Sequence, residues 1–285
     1  MPGADSPSVL IVTVTHNTGE VLRAFLRSAR TATAQPAQIV VVDNASADTT
    51  VEREACAEFG AEFLALDENL GYGGGIEEGV RHGSSDAEFL VIANPDVEFS
   101  PGSVDELVRV LRERPAAGSA GPRILNVDGT VYPSARSLPS LRTGVGHAIF
   151  GRIWPGNPWT RRYRGVDYES DAVRPVGWLS GACLVVRRDA YEQIGGFDTS
   201  YFMYFEDVDL GARLSKAAWA NLYAPTASVV HTGAHSTSTA SRRMEAVHHE
   251  SAYRYLSRKY TGWYLLPVRV VLWVGLRVRQ WWVTR

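Results

Sequence analysis

The first hundred residues switch back and forth between two hydrophobic periods. "SVLIVTVT" (8–15) is an unbroken apolar, β-branched run of strand length. "EVLRAFLRSARTA" (20–32) then spaces its apolar residues at helical intervals. "AQIVVVD" (37–43) predicts a second buried strand, and "ADTTVEREACAEFG" (47–60) a helix ended by Gly60. "AEFLALD" (61–67) predicts a third strand, and "GIEEGVRHG" (75–83) a helix after a glycine cluster. "AEFLVIANPD" (87–96) predicts a fourth strand. "PGSVDELVRVLRERP" (101–115) predicts a helix with Pro101 early and Pro115 past its end. Strands alternating with helices imply a parallel sheet with helices on both faces.

From Ala117 the texture changes. "SAGPRILNVDGTVYPSARSLPSL" (119–141) is broken by Gly and Pro and carries an Asp-Gly turn signal. "GRIWPGNPWTRRYRG" (151–165) reads as a long loop. "VGWLSGACLVVRR" (176–188) returns to strand character, and "RDAYEQIGGFD" (188–198) predicts a short helix closed by Gly195 and Gly196. "NLYA" and "ASVVH" predict two short late strands, and the last segment is helical and basic. An α/β first half of nucleotide-binding type is thus followed by a more irregular second half.

Composition narrows the classes. At 285 residues the chain suits one large domain, or a core domain with a tail. A net charge of −2 offers no global attraction to nucleic acid. Cys56 and Cys183 stand far apart, with no metal-site spacing and no disulfide framework, which suits a reducing cytosol. The apolar run near the N-terminus lacks a basic segment before it, so no signal peptide is expected. No stretch has the length and purity of a membrane span.

In open α/β sheets, ligands sit beyond the carboxyl ends of the strands. Those ends are polar here: Thr13, Thr15 and Asn17 after the first, Asp43, Asn44 and Ser46 after the second, "ENLGYGGG" after the third, Asn94 and Asp96 after the fourth. Each alone also serves as a turn former or helix cap; four in succession at one sheet edge point to a ligand. The glycines follow the third strand and do not match the dinucleotide fingerprint, and no P-loop is present. A carboxylate such as Asp96 at a strand end can share a divalent cation with substrate phosphates. His231, at the end of a late strand, would make that a mixed nitrogen and oxygen site suited to Mn²⁺.

"MYFEDVDLGARL" (203–214) is the other unusual stretch. It packs Glu206, Asp207 and Asp209 into four residues and walls them with apolar side chains. Acidic residues in a first helical turn are favoured by the helix dipole. That accounts for Glu206 and in part Asp207, but not for the aromatic residues in front of them.

Taken in order, "VTVTHN", "VVDNASAD", "ENLGYGGG", "ANPDVEF", "WLSGACLVVRRDAYEQIGGFD", "YFMYFEDVDLGARL" and "VVHTGAHS" resemble the inverting family 2 glycosyltransferases of GT-A fold. The match covers most of the chain to about residue 235. "DGTVYPSARSLPSL", "WPGNPWTRRYRG" and "RPVGWLSGACL" narrow it to the actinobacterial rhamnosyltransferase branch that builds a cell-wall linker. The resemblance implies a GT-A nucleotide-sugar-binding mixed sheet flanked by helices over 1–240. Within it, 1–116 form the nucleotide-binding half and 117–240 the acceptor and catalytic half.

It further implies a dTDP-rhamnose donor, a GlcNAc-diphospho-polyprenol acceptor and a divalent cation, Mg²⁺ or Mn²⁺. By this resemblance Asp207 is the catalytic base, and Asp96 and His231 serve the metal or diphosphate. Asn94 stands at the family's first acidic metal position, so fewer charges hold the ion. Asp43 faces the pyrimidine base, Thr13 and Thr15 lie near the nucleotide, and Asn69 and Gly71 lie beside ribose and diphosphate. Trp178, Ser180 and Gly181 shape the sugar and acceptor pocket. Apart from the resemblance, the first-turn carboxylates beside Asp207 suggest that Glu206 orients the acceptor and Asp209 ties down the helix start. Other sugar donors, such as galactofuranose, fit the same pattern, as does a non-catalytic sugar-nucleotide-binding module.

The tail, 241–285, carries nine Lys or Arg from Arg242 onward against Glu245 and Glu250. "GWYLLPVRVVLWVGLRVRQWWV" mixes Trp, Leu and Val with arginine. It suits a helix lying in a membrane interface at the cytoplasmic face, or one that packs in a core or homo-oligomer. The loop arginines Arg136, Arg142, Arg161, Arg162 and Arg164 either grip an acceptor diphosphate or form a solvated basic loop.

Overall fold

The structure, a computed structural model, describes residues 8–140, 170–233 and 241–283. The predicted alternation is present. Strands β1 (Val9–Thr15), β2 (Ala37–Asp43), β3 (Glu62–Ala65) and β4 (Phe89–Ala93) alternate with helices α1 (Val21–Ala32), α2 (Thr50–Phe59) and α3 (Gly71–His82), and α4 (Ser103–Glu113) follows a short β5 (Val97–Phe99). β1 pairs in parallel with β2 and β4, and β2 with β3. The second half extends this sheet with β6 (Ala117–Leu125), β11 (Cys183–Arg187) and β12 (Ala220–His231), giving the order β3-β2-β1-β4-β11-β6-β12-β5. β7 (Val131–Tyr132) and β9 (Arg174–Val176) pair on its flank, and β8 (Ala135–Arg136) pairs with β10 (Trp178–Leu179) as a separate ribbon. β11 runs antiparallel to both β4 and β6, so the sheet is mixed.

Alternation along β1 explains the two layers. Val9 and Ile11 point into the core under α1, α2 and α4, which includes Phe25, Leu26, Cys56 and Leu107. Leu10, Val12 and Val14 point into the opposite core, with Ile76 of α3. That second core also holds Ala190 and Tyr191 of α5 (Arg188–Gln193) and Leu210 and Leu214 of α6 (Glu206–Lys216).

Three local expectations differ from what is found. "VGWLSGACLVVRR" is two strands, β10 and β11, in separate sheets, because the chain turns at 180–182 between them. "NLYA" and "ASVVH" are one strand, β12, interrupted by a bulge between Ala224 and Ser228. The glycine cluster does not precede α3 but forms its first turns. The reason is close packing. A Cβ at Gly75 would lie 2.8 Å from the Val14 side chain, and one at Gly79 would lie 2.4 Å from Val12 and 2.9 Å from Val42. Glycine is what lets α3 lie directly on β1.

Gly79 therefore sets two effects against each other. In an open helix, alanine is better than glycine by roughly 1 kcal/mol. Here the added methyl meets two strands, and overpacking costs about 1–3 kcal/mol. Gly79→Ala is expected to lower the midpoint of urea unfolding; an unchanged or higher midpoint contradicts the close contact.

Candidate active site

The topology brings the polar strand ends to one edge. β12 is parallel to β6, and β11 is antiparallel to β6 and to β4, so the carboxyl ends of β1, β2, β4 and β12 lie together with the amino end of β11. Asp43 closes β2 opposite Thr15 of β1. It is buried and accepts hydrogen bonds from the Ser46 amide at 2.9 Å, the Ser46 hydroxyl at 2.5 Å and the Thr15 hydroxyl at 3.3 Å. Thr13, one turn of the pleat earlier, is fully buried, and its hydroxyl oxygen has no protein partner. Asn69 starts the next loop by accepting the Gly71 N–H at 2.9 Å. Gly71 has φ +77°, and a Cβ there would lie 2.1 Å from the Phe202 carbonyl oxygen, so only glycine fits.

Asn44, named in the sequence only as one of the polar groups at the end of β2, is a positioning residue. Its amide donates to the Gly71 carbonyl at 2.9 Å, and its carbonyl accepts the Leu70 N–H at 2.9 Å. It therefore fixes the 69–71 loop to the end of β2. Its place directly after Asp43 was the available signal, but a turn-forming Asn looks the same in sequence.

Asp96 and His231 meet at the far side of this edge. His231 Nε2 lies 3.0 Å from Asp96 Oδ1, and both side chains are largely buried. β12 pairs His231 with Val97 of β5, the residue after Asp96, which explains the meeting. Asn94 Nδ2 is 3.4 Å from the same imidazole nitrogen, and the Asn94 N–H donates to the Ala182 carbonyl at 2.9 Å. Among the described residues no group of three or more His, Cys, Asp or Glu side chains is arranged to hold a metal. One carboxylate with one imidazole fits a divalent cation whose remaining ligands are phosphate oxygens and water.

Asp207 sits in the first turn of α6. Its Oδ2 accepts the Gly181 N–H at 3.0 Å, and its Oδ1 accepts the Val208 N–H at 2.8 Å. Burial pushes its carboxyl above the usual range; the two amides and the Arg136 guanidinium draw it partly back. Glu206 beside it is buried, and its Oε2 has no protein partner. Burial first, and the neighbouring Asp207 charge second, push Glu206 up to about 8. Asp209 does not join them. It pairs with Arg213 at 2.6 Å, and Arg213 donates to the Ile194 and Gly196 carbonyls at 2.9 and 2.6 Å. Asp209 thus secures α6 to the turn after α5.

Tyr72 is a residue that sequence reasoning passed over, although it lies inside "ENLGYGGG". Its hydroxyl donates to the Gly181 carbonyl at 2.6 Å, and its N–H donates to the Phe202 carbonyl at 2.9 Å. Burial raises its phenol well above the usual range, with further contributions from Glu206, Asp207, Cys183 and Asp96. The charges of Glu206, Asp207 and Asp96 thus all act on this one phenol. Gly181 has no spare space, since a Cβ there would lie 3.2 Å from the Tyr72 ring and 3.6 Å from the Asp207 Cβ.

Ser180 is buried, and its N–H donates to the Ser134 carbonyl at 2.7 Å. Trp178 packs its face under the Arg136 guanidinium at 5.8 Å. Arg136 is the described member of the loop arginines; Arg142, Arg161, Arg162 and Arg164 lie outside the described residues, as does the "GRIWPGNPWTRRYRG" loop.

The apolar wall in front of the carboxylates packs against the tail. Phe205 packs on Tyr255 and His248 of α7 (Ser241–Lys259), at 5.7 and 5.5 Å between ring centres. Tyr204 and Phe205 hold φ of +66° and +67°, a conformation costing an L residue roughly 1–2 kcal/mol each.

The raised carboxyls carry a stability consequence. An unfolded glutamate loses its proton near pH 4.3, whereas folded Glu206 holds it up to about 8. Between those values the folded state binds more protons, so stability falls as pH rises through the window. Melting temperatures at pH 5 and pH 9 are expected to differ more for the wild type than for Glu206→Gln. Equal differences contradict the buried, proton-holding Glu206.

The profile of glycosyl transferase family 2 matches residues 10–195. The N-acetylglucosaminyl-diphospho-decaprenol L-rhamnosyltransferase of Mycobacterium tuberculosis is 43% identical over 279 residues, 95% of this chain and 91% of that protein. Among solved structures, GalNAc-T7 with UDP, GalNAc and Mn²⁺ superposes with a TM-score of 0.60 at 13% identity, over 82% of this chain and 45% of that one. The mannosyltransferase PcManGT of Pyrobaculum calidifontis, with GDP-Man and Mn²⁺, superposes with a TM-score of 0.59 at 15% identity, over 98% of this chain and 72% of that one. These two likenesses show a GT-A fold. The family profile, the near full-length relative and the shared fold agree: this chain is a glycosyltransferase and belongs to glycosyl transferase family 2.

Proposed function

We propose that the protein transfers L-rhamnose from dTDP-rhamnose to a GlcNAc-diphospho-polyprenol, inverting the anomeric centre. The observation that carries the reading is the 43% identity to the mycobacterial rhamnosyltransferase, over 95% of this chain. The geometry supplies the chemistry. A sugar hydroxyl is a poor nucleophile at neutral pH, and a nearby carboxylate that accepts its proton speeds attack by roughly 10²–10⁴. Asp207 is that base. The Gly181 amide orients it, and burial raises its affinity for the proton.

On the donor side, Asp43 and Thr15 receive the pyrimidine nucleoside, and Asn69 and Gly71 line the ribose and diphosphate. Asp96 and His231 hold the divalent cation, which when bound offsets the charge developing on the leaving diphosphate. Trp178, Ser180 and Gly181 shape the sugar and acceptor pocket. Glu206, proton-bearing at neutral pH, donates a hydrogen bond to the acceptor. The assignment of halves, 1–116 to the nucleotide and 117–240 to the acceptor, follows the same reading.

The test incubates the purified protein with Mg²⁺, dTDP-rhamnose and a short-chain GlcNAc-diphospho-lipid, in parallel with Asp207→Asn. A rhamnosylated lipid is expected, with the rate lowered roughly 10²–10⁴-fold in the variant. No product from the wild type, where another nucleotide sugar does react, overturns the donor assignment. Equal rates overturn Asp207 as base.

A lipid-linked acceptor requires the enzyme to work at a membrane, and the tail supports this. α8 (Leu266–Val283) follows a single 3₁₀ turn at Trp263–Leu265. The helix contacts α7; Leu265, Val268 and Leu272 are half-buried, whereas Trp263 is 85% exposed and Val271 70%. From Ser251 onward the chain has seven Lys or Arg and no acidic residue. Among the described residues no helix is long and apolar enough to cross a membrane. A basic helix with an outward apolar face instead lies in the interface, at the cytoplasmic leaflet. In flotation with anionic phospholipid vesicles, the full chain is expected to rise with the lipid and a truncation before Trp263 to stay behind. Equal flotation of the two contradicts the interfacial helix.

A further inference from the structure

The residues just before Asp207 hold a backbone conformation that they would not adopt alone. Tyr204 and Phe205 are consecutive non-glycine residues with positive φ. No side chain caps the helix that follows them. The Phe205 carbonyl accepts the Asp209 N–H at 2.8 Å, so φ and ψ at 204–205 set where α6 starts and where Asp207 points.

Two supports flank this segment. On one side the Tyr72 N–H holds the Phe202 carbonyl. On the other stands α7. Its residues 248, 251 and 255 lie at helical spacing on one face. The Ser251 hydroxyl donates to the Met203 carbonyl at 2.9 Å. The His248 ring lies 5.3 Å from Tyr204 and 5.5 Å from Phe205, and Tyr255 packs on Phe205. Ser251 and Tyr255 are both buried, and Tyr255 forms a small core with Tyr201 and Val208. All of α7 lies beyond residue 195, where the family profile ends.

We infer that α7 is a positioning element of the active site, with Ser251 and Tyr255 holding residues 203–205 in the conformation that aims Asp207 at the Gly181 amide. This rests on the reading of Asp207 as base. Relaxation at 204–205 would rotate the first turn of α6 and break the 3.0 Å Gly181–Asp207 bond. The nucleotide edge at β1, β2 and β4 is built from other elements. Although the 69–71 loop touches Phe202, Asn44 holds it to the end of β2 independently of residues 203–205, so donor binding would be unaffected. The clamp therefore acts on the rate of transfer and not on donor binding.

The experiment compares wild type, Ser251→Ala and Tyr255→Leu for kcat of sugar transfer, its pH dependence, and affinity for the free nucleoside diphosphate. Misaiming a catalytic group from a distance costs about 10-fold to 100-fold. Both variants are expected to lose at least about tenfold in kcat and to keep nucleotide affinity within about twofold of wild type. The acid limb of the rate profile should also move to higher pH. Losing the Gly181 N–H leaves Asp207 facing Glu206, Tyr72 and Arg136 with one fewer donor to its charged form.

Wild-type kcat and pH profile in Ser251→Ala overturn the clamp. So does a parallel loss of kcat and nucleotide affinity, the mark of a general folding defect. If Tyr255→Leu alone loses nucleotide binding, Ser251→Ala, which removes one oxygen atom, decides. A wild type that transfers no sugar from any donor fails in a different way, by removing the functional reading itself.

Discussion

One residue, Gly181, joins two remote parts of this enzyme. The Gly181 N–H donates to Asp207 of α6, and the Gly181 carbonyl accepts the Tyr72 hydroxyl from the loop and helix after β3. Asp207 is thereby placed relative to the edge that carries Asp43, Asn69 and Asp96. The arrangement requires a residue with no side chain at 181, because Tyr72 and Asp207 close in from both sides. It also requires the chain to turn between β10 and β11 at that point. That is why "VGWLSGACLVVRR", strand-like throughout, divides into two strands.

The same constraint explains the unfavourable features nearby. Two carboxylates in a buried first turn, and two left-handed residues before them, each oppose folding. They persist because surrounding elements over-determine the segment: Tyr72 from α3, Arg213 on the Gly195–Gly196 turn, and Ser251 and Tyr255 from α7. The glycines of α3 belong to this balance. By lying flush on β1 and beside Phe202, the helix brings Tyr72 within reach of Gly181.

The sequence was most informative where one periodicity held. Long apolar runs such as 9–15 and 37–43 could only be central strands, and their polar ends do converge on one edge of the sheet. Asp96 and His231 stand 135 positions apart, yet the ordered motifs paired them, and the structure puts them 3.0 Å from each other. What stayed hidden was tertiary. Asn44 and Tyr72 read as a turn residue and an aromatic among glycines, because their roles depend on partners at 70–71, 181 and 202. The aromatic wall of Tyr204 and Phe205 had no local explanation, since nothing nearby announces that a helix 40 residues later packs on it. The glycine cluster read as a loop because propensity disfavours glycine in helices, and close packing on β1 overrode it.

The account's central claim is that the strand-end edge bearing Asp96 and His231 receives the donor diphosphate, across the pocket from Asp207. Crystals of the protein grown with a nucleoside diphosphate and Mn²⁺, with anomalous data collected at the manganese edge, test it most directly. The account predicts one strong peak bound by the Asp96 carboxylate and the His231 imidazole, completed by diphosphate oxygens, with the pyrimidine beside Asp43. A manganese peak away from Asp96, or a diphosphate bound elsewhere on the sheet, would contradict it.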